Sequence, residues 1–150
     1  LNTEKSIIRY ILSFSIMTVD DCIFCKIVNG ELPCYKVYED EHYIAFLDKR
    51  PITRGHTLVV PKIHVDRLKD LPDEKNGELV HALKEVIKMV EKLTSNYNIA
   101  CNQGAIAGQI IFHLHFHIIP RYEDVKHKWG QRREIEHEDA LKVLKELKSF

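Results

Sequence analysis

The stretch Gln109-Ile-Ile-Phe-His-Leu-His-Phe-His-Ile-Ile-Pro120 constrains the fold of this chain more than any other. Read with period two, His113, His115 and His117 alternate with Phe112, Leu114, Phe116 and Ile118. A β-strand sends successive side chains to opposite faces. The three imidazoles are therefore expected on one face, and the apolar set buried on the other. A helix would scatter the histidines around its axis. The β-branched and aromatic content agrees with a strand. Pro120 has no N–H to donate and is expected to end the pairing.

One histidine in such a place is an ordinary structural residue; three in alternation ask for chemistry. A His-x-His pair on a strand can chelate a metal, with further ligands from elsewhere. One imidazole can instead be a nucleophile whose neighbours handle charge and protons. All three can also hold a zinc whose bound water does the chemistry. Alternate residues stand about 6.6 Å apart along a strand, so the two ends of the row can serve different sites.

Composition narrows the partners. The chain has 150 residues, 45% hydrophobic and 29% charged, which suits one globular domain with one core. Lys+Arg 22 against Asp+Glu 22 gives zero formal charge. No global basic field exists to attract nucleic acid or an anionic membrane, so phosphate binding must come from a local site. Four cysteines are too few for a disulfide scaffold at this length. Cys22-Ile-Phe-Cys25 reads as metal or redox. No strand precedes it, against a thioredoxin-type pair, and as a zinc motif it leaves two ligands to find. Cys34 and Cys101 lie outside any ligand spacing and read as plain thiols.

The remaining pattern supplies a frame. Tyr35 to Glu39 and Tyr43 to Asp48 read as a hairpin around Asp40-Glu41, with Asp48 at a strand end where turn and cap aspartates are common. His56 to Val60 is a third strand, ended by Pro61. A helix starts at Leu71-Pro-Asp73, carries the stripe Leu79, Leu83, Val86, Val90, Leu93, and ends at Asn96-Tyr-Asn98. Ile99-Ala-Cys101 begins a further strand. Asn102 to Gln109 then joins it to the histidine row, with glycines that would let backbone N–H groups cradle a phosphate. Glu138 to Lys148 reads as a last helix, with Ala140, Val143, Leu144 and Leu147 inward. The fold class is α+β: an antiparallel sheet of about five strands, one long helix across it and a C-terminal helix, with one sheet face needing burial. Residues 1–16 read as an N-terminal extension, dispensable for folding and too short in apolar run to span a membrane, and 17–150 as the domain.

His113-Leu-His115-Phe-His117-Ile-Ile resembles the signature of the histidine triad (HIT) family of nucleotide hydrolases and transferases. Cys22-Ile-Phe-Cys25-Lys-Ile, Asp48, Gly55-His56-Thr-Leu-Val-Val-Pro-Lys-x-His64 and Asn102 through Gln109 match in the same order. The similarity runs from Cys22 to Arg121 and points to the Hint-like prokaryotic branch with a Cys-x-x-Cys. It implies a HIT-like fold, and hydrolysis at the α-phosphate of nucleoside phosphoramidates or dinucleoside polyphosphates through a nucleotidyl-histidine. On this resemblance His115 is the nucleophile, His117 binds phosphate oxygen and assists the leaving group, and His56 is the fourth histidine of the site. Phe24, Ile27, Phe46 and Leu58 line the base pocket, and Asp48 takes the ribose hydroxyls. Asn102, Gly108 and Gln109 contact the phosphate region. Cys22, Cys25, His64 and His113 hold one structural zinc, with no organic cofactor. The substrate is a purine, AMP-like nucleotide, the assembly a homodimer with sheets side by side, and the location cytoplasmic, with no nucleic acid or membrane partner. One departure stands out. Family members usually place Ser or Thr after the glutamine; here that position is Ile110.

Overall fold

A computed structural model describes residues 21–125 and 132–149. The chain opens with a short helix, α1 (Ile23–Val28), capped by Cys22, whose sulfur accepts from the Cys25 N–H. Strands β1 (Lys36–Glu39), β2 (Tyr43–Leu47) and β3 (Thr57–Pro61) follow. Helix α2 (Asn76–Val90), strands β4 (Tyr97–Ala100) and β5 (Phe116–Pro120), and helix α3 (His137–Leu147) complete the order. All pairings are antiparallel, and the sheet runs β1-β2-β3-β5-β4.

The α+β architecture agrees with the sequence reading, but both faces of the sheet are covered rather than one. On one face Tyr43, Ala45, Leu47, Val59, Phe116 and Ile118 pack with Leu79, Ala82, Val86 and Val90 of α2 and Ala140, Val143 and Leu147 of α3. Each large apolar side chain buried there contributes about 1.5–3 kcal/mol. On the other face Ile44, Phe46, Leu58 and Val60 meet Cys22, Phe24 and Cys25. Every residue of β2, β3 and β5 is buried in consequence.

The histidine strand is shorter than its alternation suggests. β5 begins only at Phe116, so His113 and His115 lie in an extended lead-in and His117 alone sits in the ladder. The cause is Pro61. β3 and β5 pair up to Val59↔Phe116; two residues further on, the same register would set Leu114 against Pro61, which has no N–H. The Leu114 N–H instead donates to Val65 O at 2.7 Å, and Pro61 O accepts from His113. Leu114, Phe116 and Ile118 are buried as expected, but Phe112 is 36% exposed, because it precedes the strand.

The long helix also differs at both ends. A 3-10 turn over Asp73–Lys75 leads into it, and it stops at Val90. Tyr97 and Asn98, expected at the helix end, belong to β4, where they pair with Pro120 and Ile119. Leu93 therefore lies beyond the helix. Gly55, just before His56, has φ +88, a conformation that favours glycine, and a Cβ there would also crowd the Leu93 side chain. Residues 1–20 and Trp129 lie outside the described residues.

Candidate functional site

Sheet register assembles the site. Across β2, β3, β5 and β4 the pairs Phe46↔Leu58, Leu58↔His117 and Ala100↔His117 set one row on the face that α1 covers. Phe24 of α1 closes over this row. Its ring lies edge-on to Phe46, His113 and His115, with centroids 5.5, 5.9 and 5.1 Å away. Phe24, Phe46 and Leu58 are buried in one apolar cluster, and the half-buried Ile27 packs against it.

The histidines divide into two groups. His115 and His117 stand with ring centroids 5.0 Å apart, and His117 and His56 5.1 Å apart. The Ile52 N–H donates to His56 Nδ1 at 3.0 Å, so the proton of neutral His56 is on Nε2. That N–H donates to His117 Nδ1 at 2.9 Å, which puts the His117 proton on its Nε2. His115 has the opposite arrangement. Its Nδ1 donates to the His113 carbonyl at 2.7 Å, leaving Nε2 as the unprotonated nitrogen. Burial holds all three neutral: it lowers His56 to about 2 and His117 to about 4, and lowers His115 as well.

His113 turns away to the second group. The donor atoms of Cys22, Cys25, His64 and His113 all lie within 4.8 Å of one another. Cys22 Sγ is 3.4 Å from His113 Nδ1; Cys25 Sγ is 3.5 Å from that atom and 3.3 Å from His64 Nδ1. Tetrahedral zinc, with Zn–S about 2.3 Å and Zn–N about 2.0–2.1 Å, separates sulfur and nitrogen ligands by roughly 3.6 Å. The donors stand at that spacing. The outer nitrogens are backed, His113 Nε2 by Pro61 O at 2.8 Å and His64 Nε2 by Asp66 Oδ1 at 3.3 Å. Both rings thus aim Nδ1 inward, as histidine ligands do. Burial beside Cys22 pushes the Cys25 thiol up to about 12, a penalty that a central dication reverses. The residues fit a structural zinc. The arrangement in which all three triad histidines share one metal does not fit, because their ring nitrogens point to three different partners.

Asp48 sits between strand end and site. Its Oδ1 accepts from the Arg50 N–H at 2.9 Å, and its Oδ2 is 3.6 Å from His56 Nε2. Arg132 Nη1 donates to the same Oδ2 at 3.2 Å. Arg132 lies in a polar stretch without periodicity, and no pattern in the sequence singles it out. Asp48, His56 and His117 also lie close enough to share an ion. The His56–His117 hydrogen bond and the guanidinium on Asp48 make them a hydrogen-bonded group instead.

The loop before the triad corrects one expectation. Gly108 takes a left-handed conformation with φ 89, as its glycine demands. Yet the N–H groups of Gly108 and Gln109 donate inside the loop, to Ala105 O and Gly104 O, and do not form an open cradle. The Gln109 side chain is buried and holds the Gly104 N–H, Asp66 O and Ile111 O. Asn102 Nδ2 reaches Gly108 O at 3.4 Å. The N–H groups of Ile110 and Ile111 have no acceptor among the described residues. The Ile110 side chain is 74% exposed.

The HIT domain profile matches residues 29–124. An uncharacterized HIT-like protein of Methanocaldococcus jannaschii is 48% identical over 127 residues, covering 83% of this chain and 98% of that protein. An adenosine 5'-monophosphoramidase of Schizosaccharomyces pombe is 45% identical over 100 residues, 67% of this chain and 74% of that one. A crystal structure of a zinc-bound histidine triad family protein from Mycobacterium smegmatis matches with a TM-score of 0.73 at 37% identity, covering 84% and 91% of the two chains.

Proposed function

This chain belongs to the HIT domain family, and from that premise we propose that it hydrolyses purine nucleoside phosphoramidates or dinucleoside polyphosphates at the α-phosphate. One observation carries the reading: the opposed tautomers of His115 and His117. His115 offers an unprotonated Nε2, the form that attacks phosphorus; His117, two residues on, offers a protonated Nε2. A nucleophile beside a hydrogen-bond donor is what nucleotidyl transfer needs. His115 Nε2 bonds to the α-phosphorus as the bond to the leaving group breaks. His117 Nε2–H bonds a phosphoryl oxygen whose charge grows in the transition state and passes its proton to the departing amine. Water then attacks the same phosphorus as the bond to His115 Nε2 breaks, returns a proton to His117, releases the nucleotide and restores His115. His56 touches no substrate atom in this scheme and acts by locking His117.

The base rests on Phe24, Ile27, Phe46 and Leu58, and the ribose hydroxyls on Asp48, whose oxygens accept two donors. The Asn102 side chain and the N–H groups of Ile110 and Ile111 meet the phosphate. Gly108 and Gln109 shape the loop that presents them. Zinc held by Cys22, Cys25, His64 and His113 is structural: it ties α1 to the histidine segment. The similarity to a phosphoramidase and to a zinc-bound relative supports these assignments. The partner is a second copy through the β4 edge, where Ile99 is 50% exposed, and the location cytoplasmic. Among the described residues no helix is long and apolar enough to cross a membrane.

The test is a nucleoside phosphoramidate mixed with wild-type protein and quenched. An adenylylated peptide containing His115 is expected. His115→Ala should lose turnover by several orders of magnitude yet still bind AMP, and near-normal turnover in that variant refutes the mechanism. Ile110 favours a second reading, a nucleotide-binding module with little turnover, because a phosphate-side hydroxyl is missing. Tight AMP binding without any nucleotidyl intermediate selects it.

A further inference from the structure

We propose that Arg132 is a positioning residue for the carboxylate that takes the ribose: it fixes the orientation of Asp48. The inference rests on the role of Asp48 given above. Arg132 comes from the C-terminal segment, 84 residues from its partner. Its Nη1, which carries two hydrogens, donates to Asp48 Oδ2 at 3.2 Å and to Arg50 O at 3.3 Å. The other carboxylate oxygen is held by the Arg50 N–H at 2.9 Å. Each oxygen of Asp48 therefore has one protein donor and keeps lone-pair capacity for another. Two such oxygens, locked in one plane, match the two hydroxyls of a vicinal diol.

Both side chains are shielded, Asp48 at 15% and Arg132 at 22% exposure, so solvent screens the pair poorly. Burial raises the Asp48 carboxyl, and the Arg50 N–H and the Arg132 charge oppose that rise. A protonated carboxyl would lose an acceptor for the sugar.

The backbone that carries the carboxylate is tied to later parts of the chain. The Ile135 N–H donates to Lys49 O at 2.7 Å, and the Arg54 guanidinium makes two bonds to Glu146 at 2.9 and 2.7 Å. The Tyr122 hydroxyl donates to Arg54 O at 2.7 Å. The loop that follows Asp48 is thus fastened at Lys49 and at Arg54, on either side of Arg50, whose N–H and carbonyl meet Asp48 and Arg132.

The opposite role, a latch that blocks Asp48 until displaced, makes the opposite prediction. Calorimetric titration with AMP and with 2',3'-dideoxy-AMP separates them, because the second ligand has no hydroxyls for Asp48 to grip. Arg132→Met is expected to weaken AMP binding roughly fivefold to tenfold and dideoxy-AMP binding by less than twofold. Arg132→Lys keeps the charge but not the fork, and should recover part of the loss. In an Asp48→Asn background, Arg132→Met should cost nothing more. Equal weakening of both ligands, or AMP binding that is unchanged or tighter in Arg132→Met, overturns the proposal. Wild-type protein that binds the two ligands alike overturns the role of Asp48 instead.

Discussion

Acid should loosen this fold through His117, by an amount the structure allows to be worked out. His117 is buried in β5, accepts from His56 Nε2–H, and is lowered by burial from 6.5 to about 4. Unfolded, it returns to the ordinary value of 6.5. Between those values the unfolded chain binds a proton that the folded chain refuses, so stability falls as pH falls through the window. For that one group, going from pH 7 to pH 5 removes about 2 kcal/mol. In urea, at a slope of about 2 kcal/mol/M, the midpoint moves by roughly 1 M. Other groups add to the slope, among them His56, lowered to about 2. The informative quantity is therefore a difference. His117→Asn keeps an acceptor where Nδ1 stood and removes the titration. Its urea midpoint should fall less between pH 7 and pH 5 than that of wild type, by an amount worth about 2 kcal/mol. Equal falls in the two proteins would mean that His117 accepts a proton in the folded state, and that the locked tautomers do not describe this site.

Two further outcomes follow from the site. Purified protein should carry one zinc per chain by elemental analysis; Cys25→Ser should lose most of it and melt several degrees lower, and wild-type protein free of metal sinks the assignment. Ile110→Ser should raise kcat/KM on a phosphoramidate roughly threefold to tenfold, equivalent to about 0.6–1.4 kcal/mol of transition-state stabilisation. Unchanged kinetics with intact AMP affinity would show that the missing hydroxyl is not limiting.

Much of the frame was legible in the sequence because it is periodic. The stripe through Leu79, Val86 and Val90, the hairpin about Asp40-Glu41 and the burial of Leu114, Phe116 and Ile118 are all consequences of side-chain repeat. The cysteine pair and the three alternating histidines also stood out, as residue types that rarely cluster without a chemical reason. The same periodicity misled where pairing, not pattern, decides. Alternation ran back to Phe112, but the ladder stops at Phe116, since Pro61 on the facing strand cannot donate. Glycines at 104 and 108 suggested an open cradle, and the loop closes on its own N–H groups.

By itself the sequence determined which side chains alternate, which helix faces are apolar, and that several imidazoles and two thiols had to be accommodated. Residue pattern alone could not say which imidazole meets the thiols and which keeps its lone pair; only the family resemblance assigned those roles. The partners of those rings lie far off in the chain: His113 and Cys22 are 91 residues apart, His56 and His117 61. Only the register of β3 on β5 and the seating of α1 bring them together, and Arg132 reaches Asp48 only because α3 is folded into the core. Each hydrogen bond fixes a tautomer within about 3 Å, a range that local pattern cannot encode and tertiary packing sets.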